Sequence, residues 1–413
     1  MANCKNCGRE LPSFSVGEQS DFCQDCRRSM AYAGTVSSTQ DVPRPRPARR
    51  RPPVTTALIA INVAVYLFMV LRGVSPVEPT GAQVLQWGAN WGPLSLGPQP
   101  WRILASNYLH FGIIHIALNM WCLWSLGVLG EQMFDPVTYA LTYTCCGIAG
   151  SLASLWWHPM VIGAGASGAI FGIAGALIAA LYLGHLPIPK QAMRGTLRSL
   201  LTFAGYNLFF GAVGKMIDNS AHIGGLVAGL IIGALLGKHL AVSPQPSESW
   251  RRGVIAAAAI SLFGVFAAVR QANGYVVPLE QGAKAMQNGK FDEAARNLED
   301  ANAHKPGDHD LMVLLATAYL QEKQYTKAEP LLQKALQIDA NDPNALFNLG
   351  LVELKLGHYD NAVEQLNKLV RQNPNDADAE QALGEAYDAK DMPDEAQAAF
   401  QRAAELRGKP AQH

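Results

Sequence analysis

Residues 159–184 read PMVIGAGASGAIFGIAGALIAALYLG, a stretch without a single charge and long enough to cross a bilayer as a helix. In its middle lies Gly165-Ala166-Ser167-Gly168, and Gly168 and Gly172 form a G-x-x-x-G pair. The serine there has two readings. Small residues let two spanning helices approach closely, or the serine is a nucleophile within the membrane. A second apolar segment shifts the balance toward chemistry: it carries Ala221-His222-Ile223-Gly224-Gly225, with Gly229 one turn on. Ionisable residues inside spans are costly and usually functional.

Working outward, the chain has 413 residues, more than one ordinary soluble domain. Only 16% are charged, and charge is scarce from Val54 to Val269 but dense on either side. The net charge of zero thus averages unlike parts and says little about partners. Seven apolar runs read as spans, at about 54–72, 103–127, 136–157, 160–183, 197–213, 220–238 and 253–270. The fifth is the weakest, interrupted by Gly205, Asn207 and Gly211. Arg44, Arg46, Arg49, Arg50 and Arg51 precede the first span. Lys190, Arg194 and Arg198 fall between the fourth and fifth, and Lys238, Arg251 and Arg252 between the sixth and seventh. The positive-inside rule then predicts a cytoplasmic N-terminus and, with seven spans, an external C-terminus. The loop 73–101 is external on this topology; with Trp87, Trp91, Trp101 and the lone charge Glu78 it suits the lipid interface.

Four of the seven cysteines lie in residues 1–30, as Cys4-x2-Cys7 and Cys23-x2-Cys26 with fifteen residues between the pairs. Two such knuckles suit a tetrahedral four-thiolate zinc site, and redox dithiols or disulfides are the other reading. A stretch this short builds no core, so metal would supply its folding energy, and a cytoplasmic N-terminus keeps the thiols reduced. The segment resembles the small zinc ribbons at the ends of many bacterial proteins. Residues 31–53 read as a basic linker, more simply a flank that sets membrane orientation than a nucleic-acid arm. Cys122, Cys145 and Cys146 lie in apolar segments and read as small apolar side chains.

After Gly274 the composition turns to Ala, Glu, Gln, Lys, Leu and Asn, with a period of 34. Gly282, Ala316, Gly350 and Gly384 share one register, Phe291, Tyr325 and Tyr359 a second with Pro393 in its fourth slot, and Ala294, Ala328, Ala362 and Ala396 a third. Small residues would let paired helices pack, with the aromatic filling the gap between them. Residues 275–410 thus resemble about four tetratricopeptide repeats, whose concave surfaces take peptide segments.

Trp101-Arg102 lead into the second span, which carries His110, His115 and Asn119. His115 and Asn119 are four apart and share a helix face. Hydrogen bonding between helices would explain these polar residues, but His115, Asn119, Ser167 and His222 on three spans are harder to explain as packing. His110, His115, Ser167 and His222 all lie in the outer halves of spans that run outside to inside, so they can meet at one depth. A serine hydroxyl needs a base to become a nucleophile, and His222 is the candidate, later protonating the leaving amine. With no acidic residue in the outer halves to orient it, the pair would be a dyad. His115, Asn119 and the backbone N–H of Ser167 would form the oxyanion site, where one donor is typically worth ~3 kcal/mol of barrier.

Trp101-Arg102, His110-x4-His115-x3-Asn119, Gly165-x-Ser167-Gly168 and Ala221-His222-x2-Gly225-x3-Gly229 together resemble the rhomboid family of intramembrane serine proteases. The resemblance implies an all-α membrane bundle of six helices plus one further span (54–270), Ser167 as nucleophile and His222 as base. It also implies an oxyanion site from His115 and Asn119, no catalytic cofactor, and substrates that are themselves membrane helices. In the family Arg102 would stabilise the first outer loop and Glu131, just past the second span, would be structural. Phe171 stands where some members carry a tyrosine beneath the histidine. His110, Gly165 and Gly168 complete the supporting set, and the fifth span with segment 214–219 would form a lateral gate. A non-catalytic scaffold that binds client helices is the alternative; a transporter is disfavoured because the polar residues cluster at one depth. The expected setting is a bacterial inner membrane, with lipids, membrane-helix substrates and a peptide or protein ligand of the repeats as partners and no nucleic acid.

Overall fold

A computed structural model describes residues 3, 4, 7, 8, 10, 23, 25, 26, 52–183, 190–213, 218–240 and 248–408. The linker arginines and most of the 214–219 segment lie outside the described residues. The described chain is almost wholly helical, without strands; its β-pairing is confined to isolated bridges at Asn3–Glu10 and Asn90–Gly163. Residues 1–53 form one compact unit and 54–413 another.

Seven long helices come first in the second unit: α1 (Pro53–Leu71), α2 (Ile113–Met133), α3 (Pro136–Trp157), α4 (Ser167–Leu183), α5 (Lys190–Val213), α6 (Asn219–Leu240) and α7 (Glu248–Ala272). Of these α1, α2, α6 (through Gly237) and α7 are long and apolar enough to cross a membrane, whereas α4 is apolar but only 17 residues long. Several expected boundaries move. The second span starts at Ile113 rather than 103, because 102–108 form short helical turns ahead of a break at Gly112. The fourth starts at Ser167 rather than 160. Arg194 and Arg198 are carried on α5, and Arg251 and Arg252 on α7, not on loops between helices.

Helices α4 and α6 run parallel with almost nothing between their backbones. A Cβ on Gly225 would strike the Gly168 carbonyl, one on Gly229 the Gly172 carbonyl, and one on Gly233 the Ala176 carbonyl. Each pair is four residues on from the last, so the small-residue rows interlock over about two turns. On its other flank α4 meets α3, where Gly172 leaves room for Cys146, which is fully buried. Ile170, Ile173, Leu177 and Leu181 are all buried. The helix is thus enclosed by protein nearly all round, which is why apolar residues surround it without a polar stripe.

Eight helices follow: α8 (Val276–Gln287), α9 (Phe291–His304), α10 (His309–Gln321), α11 (Tyr325–Ile338), α12 (Pro343–Leu356), α13 (Tyr359–Gln372), α14 (Ala377–Ala389) and α15 (Pro393–Gly408). They pack as four pairs. A Cβ on Gly282 would meet Leu298, one on Gly350 would meet Leu366, and one on Gly384 would meet Phe400. Ala294, Ala328, Ala362 and Ala396 are buried. The aromatic register differs from expectation: Phe291, Tyr325 and Tyr359 begin the second helix of each pair and are only partly buried, Tyr359 being 37% exposed. Pro393 fits the fourth slot because a helix's first residue needs no N–H. A further register went unread: Asp308, Asp342 and Asp376 cap the first helices of successive pairs by accepting backbone N–H bonds.

The third pair breaks the pattern at Glu353. The matching positions hold Tyr319, whose hydroxyl donates to Glu299, and Tyr387, whose hydroxyl accepts from Asn367. Glu353 is 2% exposed, and its Oε2 has no hydrogen-bond partner. Burial, then the carboxylates of Glu329 and Glu364, push its pKa up to about 7. A carboxyl with a raised folded pKa opposes folding once it ionises. The contribution of this one group is therefore most favourable below the unfolded value near 4.5, and about 3 kcal/mol of it is lost as pH rises through 7. Glu353→Gln should remove most of this slope and raise the melting temperature of the repeat helices at pH 8. Parallel melting curves against pH for the variant and the wild type would refute it.

Candidate active site

Ser167 is the first residue of α4. The strap ahead of it opens with a turn at 159–160 and continues without helix, held largely by bonds to distant residues. Asn90 and Gly163 exchange two backbone bonds of 2.8 Å, Gly92 N donates to Pro159 O at 2.7 Å, and Gly165 N donates to Ser106 O at 2.9 Å. Gly165 has φ +142°, and a Cβ there would lie 3.0 Å from His115 Cε1. The backbone angle requires glycine, and the close approach of the ring favours it. Ser167 thus sits at a helix N-terminus, where backbone N–H groups lack intrahelical partners and the helix dipole favours negative charge.

His115 occupies the first turn of α2, and its ring covers Gly165. The Nε2 atom and Ser167 Oγ lie 3.1 Å and 3.7 Å from the place of a Gly165 Cβ, so they flank the same point. The backbone N–H of Phe111 donates to His115 Nδ1 at 3.2 Å. With Nδ1 accepting, neutral His115 carries its proton on Nε2, the nitrogen beside Ser167. One turn on, Asn119 is buried and gives one amide hydrogen to His115 O at 2.9 Å. His110 precedes the helix, is 1% exposed and meets His115 edge-on, ring centroids 5.2 Å apart.

His222 lies in the first turn of α6 and is 7% exposed. Its ring stacks on Phe171, centroids 4.2 Å apart and planes 7° from parallel. Phe171 is one turn below Ser167 on α4, and Ala221 O lies against Gly168. Stacking and the glycine contact therefore bring His222 to the level of Ser167. No hydrogen bond joins Ser167 and His222 among the described residues, and His222 Nδ1 has no partner. Such bonds commonly tighten only when substrate binds.

An acid, Asp218, lies just ahead of the histidine in the chain. It caps α6 four residues before His222, its Oδ1 accepting from Ser220 Oγ at 2.5 Å and Ala221 N at 3.2 Å. That oxygen is engaged by the cap, so Asp218 orders the helix that carries His222. An aspartate directly ahead of an apolar run is a readable cap signal. Asn219 donates to Leu208 O at 2.9 Å and so ties α6 to α5. Asn90, Ser106, Asn107 and Ser151 were also unread. Ser151 Oγ lies 3.3 Å from Asn107 Nδ2 and 3.4 Å from Ser106 Oγ, while Asn90 Nδ2 donates to Ser151 O. Single small polar residues in apolar runs carry no periodic signal.

Two outlying residues hold loops. Arg102 donates to Gln99 Oε1 and Leu85 O, both at 2.6 Å, and to Ala89 O, gathering the 81–101 segment. Glu131 lies in the last turn of α2 rather than past it. Its carboxylate accepts from Val54 N at 3.2 Å and Thr55 N at 2.6 Å, capping α1 from another helix.

In the N-terminal unit the Sγ atoms of Cys4, Cys7, Cys23 and Cys26 all lie within 4.8 Å of one another. Cys7 and Cys23 Sγ are 3.6 Å apart, too far for a disulfide at ~2.05 Å. Thiolates ~2.3 Å from one tetrahedral zinc would be ~3.8 Å apart, so the cluster fits that ion. Cys23 N donates to Cys4 Sγ at 3.2 Å, and Gly8, at φ +73°, donates to Cys4 O to close the first knuckle.

The fold and site define a helical membrane protein with a serine at a buried helix start, between a histidine ring and a histidine-bearing helix. Residues 97–239 match the family model described as Rhomboid domain, and 285–349, 319–384 and 377–410 match tetratricopeptide repeat models. The chain carries a rhomboid domain followed by tetratricopeptide repeats, and is an integral membrane protein. It is 32% identical over 308 residues to rhomboid protease GluP of Bacillus subtilis, covering 73% of this chain and 58% of that one. It is 35% identical over 159 residues to RHOMBOID-like protein 7 of Arabidopsis thaliana, covering 38% and 50%. Rhomboid protease AarA of Providencia stuartii is 29% identical over 201 residues, covering 43% and 70%. The chain spans about half the length of the first curated relatives it matches. Among solved structures, one titled "Crystal structure of MamA" matches 38% of this chain and 90% of its own at 26% identity, with a TM-score of 0.32.

Proposed function

We propose that this protein is an intramembrane serine endopeptidase that hydrolyses peptide bonds in or near membrane-spanning helices. The observation that carries the reading is Ser167 at the free N-terminus of α4, flanked by the protonated Nε2 of His115, with His222 stacked on Phe171 of the same helix. Ser167 Oγ attacks the carbonyl carbon as His222 takes its proton. The oxyanion is met by the Ser167 N–H, His115 Nε2–H and the second amide hydrogen of Asn119. His222 then protonates the leaving amine, and water, with His222 again as base, hydrolyses the acyl-enzyme. Stacking on Phe171 fixes the plane of the His222 ring without an acidic partner. His110 supports His115 from the edge, Gly165 admits the His115 ring, and Gly168 admits the α6 backbone at Ala221.

On this reading the chain divides at 1–30, 31–53, 54–270 and 275–410. It sits in a bacterial inner membrane with its N-terminus cytoplasmic and its repeats outside, holding peptide segments of substrates or partners. Cleavage of a single-span helix substrate by purified protein in lipid, alongside Ser167→Ala, tests it. Cleavage by the wild type alone, with a serine-directed probe on Ser167, is the expected outcome. No cleavage and no labelling would favour the non-catalytic scaffold.

Cys4, Cys7, Cys23 and Cys26 are the proposed ligands of one structural zinc, with no part in catalysis. Metal analysis should find about one zinc per chain, and a strong chelator should unfold the N-terminal unit. Zinc content unaffected by Cys4→Ser and Cys26→Ser together would remove the assignment.

A further inference from the structure

Beyond holding peptides, the repeats touch the site's own scaffold. Val276, the first residue of α8, is fully buried. Its Cγ1 lies 3.0 Å from the place of a Cβ on Gly92, and Val277 Cγ2 lies 3.1 Å from that of Gly97. Gly92 is closed on its other side by Pro159 O, to which its own N–H donates at 2.7 Å. Any side chain at Gly92 would separate the loop from either α8 or the strap. From Pro159 the contacts run without a gap: Gly163 to Asn90, Gly165 to Ser106, then Ser167. The join is reinforced below, where Val269 on α7 packs in one buried cluster with Leu96, Ile103, Leu152 and Leu155.

We infer that α8 is an outer brace for the strap 159–166, with Val276 and Val277 as positioning residues, so that the repeats govern the rate of chemistry as well as recruitment. The strap's irregular course is held by bonds between segments and not by a helix of its own. A brace on Gly92 therefore restrains the two residues that set Ser167 against His115. A repeat array that only recruited would need no more than a flexible tether. The inference rests on the protease reading for its kinetic consequence but not for its structural one.

The test uses full-length protein in lipid and a single-span substrate trimmed of its extramembrane segments, so that the repeats have nothing to hold. Val276→Asp undocks α8, Val276→Ile preserves the contact, and a flexible Gly/Ser insertion after Asn273 frees the repeats without changing a contact residue. The aspartate and insertion variants should lose roughly tenfold or more in kcat with KM little changed, since small misplacements of reacting groups are costly. The isoleucine variant should match the wild type. In parallel, hydrogen exchange of the amides in 159–166 should quicken in the two undocked variants. Wild-type kcat in the insertion variant would overturn the inference. So would unchanged exchange at Gly163 and Gly165, even if the protein cleaved nothing. Loss of cleavage by the wild type itself would count against the protease reading alone.

Discussion

Ser167→Ala is expected to lower cleavage of a single-span substrate by on the order of 10⁴-fold or more, His222→Ala by a similar factor, and the double variant by no more than either. The reason is mutual dependence. Without its base the hydroxyl is a poor nucleophile, and without the hydroxyl the base has nothing to activate. Residual turnover in all three variants would come from the oxyanion donors at the start of α4 and from binding. The three variants, assayed in the same lipid with rates from single turnovers, decide the matter. A single variant retaining a tenth of wild-type activity would exclude the dyad. So would a double variant much slower than both singles, because the residues would then be acting independently. None of the substitutions should unfold the protein. Ser167 is half-buried, and its side chain makes no hydrogen bond among the described residues.

Gly229→Val should be the most destructive change away from the chemistry. A Cβ at Gly229 would strike the Gly172 carbonyl, which belongs to the backbone of a buried helix and cannot swing aside. Helix α6 would have to move out along its length. Overpacking of this kind costs roughly 3 kcal/mol or more, and the movement would lift His222 from Phe171. Gly225→Val, against the Gly168 carbonyl, should behave alike. Gly264→Ala supplies the control: nothing lies within 4 Å of a Cβ at that position on α7. There alanine should be neutral or slightly stabilising through helix propensity. Thermal unfolding in detergent, followed by activity in lipid, would separate these outcomes. A Gly229→Val protein as stable and active as wild type would mean that α4 and α6 do not pack through their glycines.

The glycine rows also bear on how Ser167-Gly168 reads in the sequence. Close packing and a reactive serine looked like competing accounts of one motif. They concern different faces of one helix: the backbone at Gly168 and Gly172 meets α6, with Gly172 also making room for Cys146 of α3, while Ser167 opens toward His115. The close approach is what brings His222 to the level of the serine, so packing and chemistry depend on each other.

Much was determined by the sequence alone. Uncharged runs mark helices that enter lipid, because an unpaired charge there is costly. The period of 34 marks stacked helix pairs, because each pair repeats the same small-residue contact. Two Cys-x2-Cys pairs mark a four-sulfur cluster. The set His110, His115, Asn119, Ser167 and His222 could be listed from local spacing. Only the tertiary structure decided where the helices begin. Hydropathy counts the residues 160–166 as span, yet they form an irregular strap, because Asn90 and Ser106, far away in the chain, bond to the backbone of Gly163 and Gly165. The same holds for 102–112, where Gly112 ends one course and Ile113 N, bonded to Pro76 O, begins another. The seating of Val276 on Gly92 is likewise invisible in one dimension, since nothing in either segment names its partner. Local pattern reports what a residue prefers to be near; where each helix starts depends on which distant backbone group is there to satisfy it.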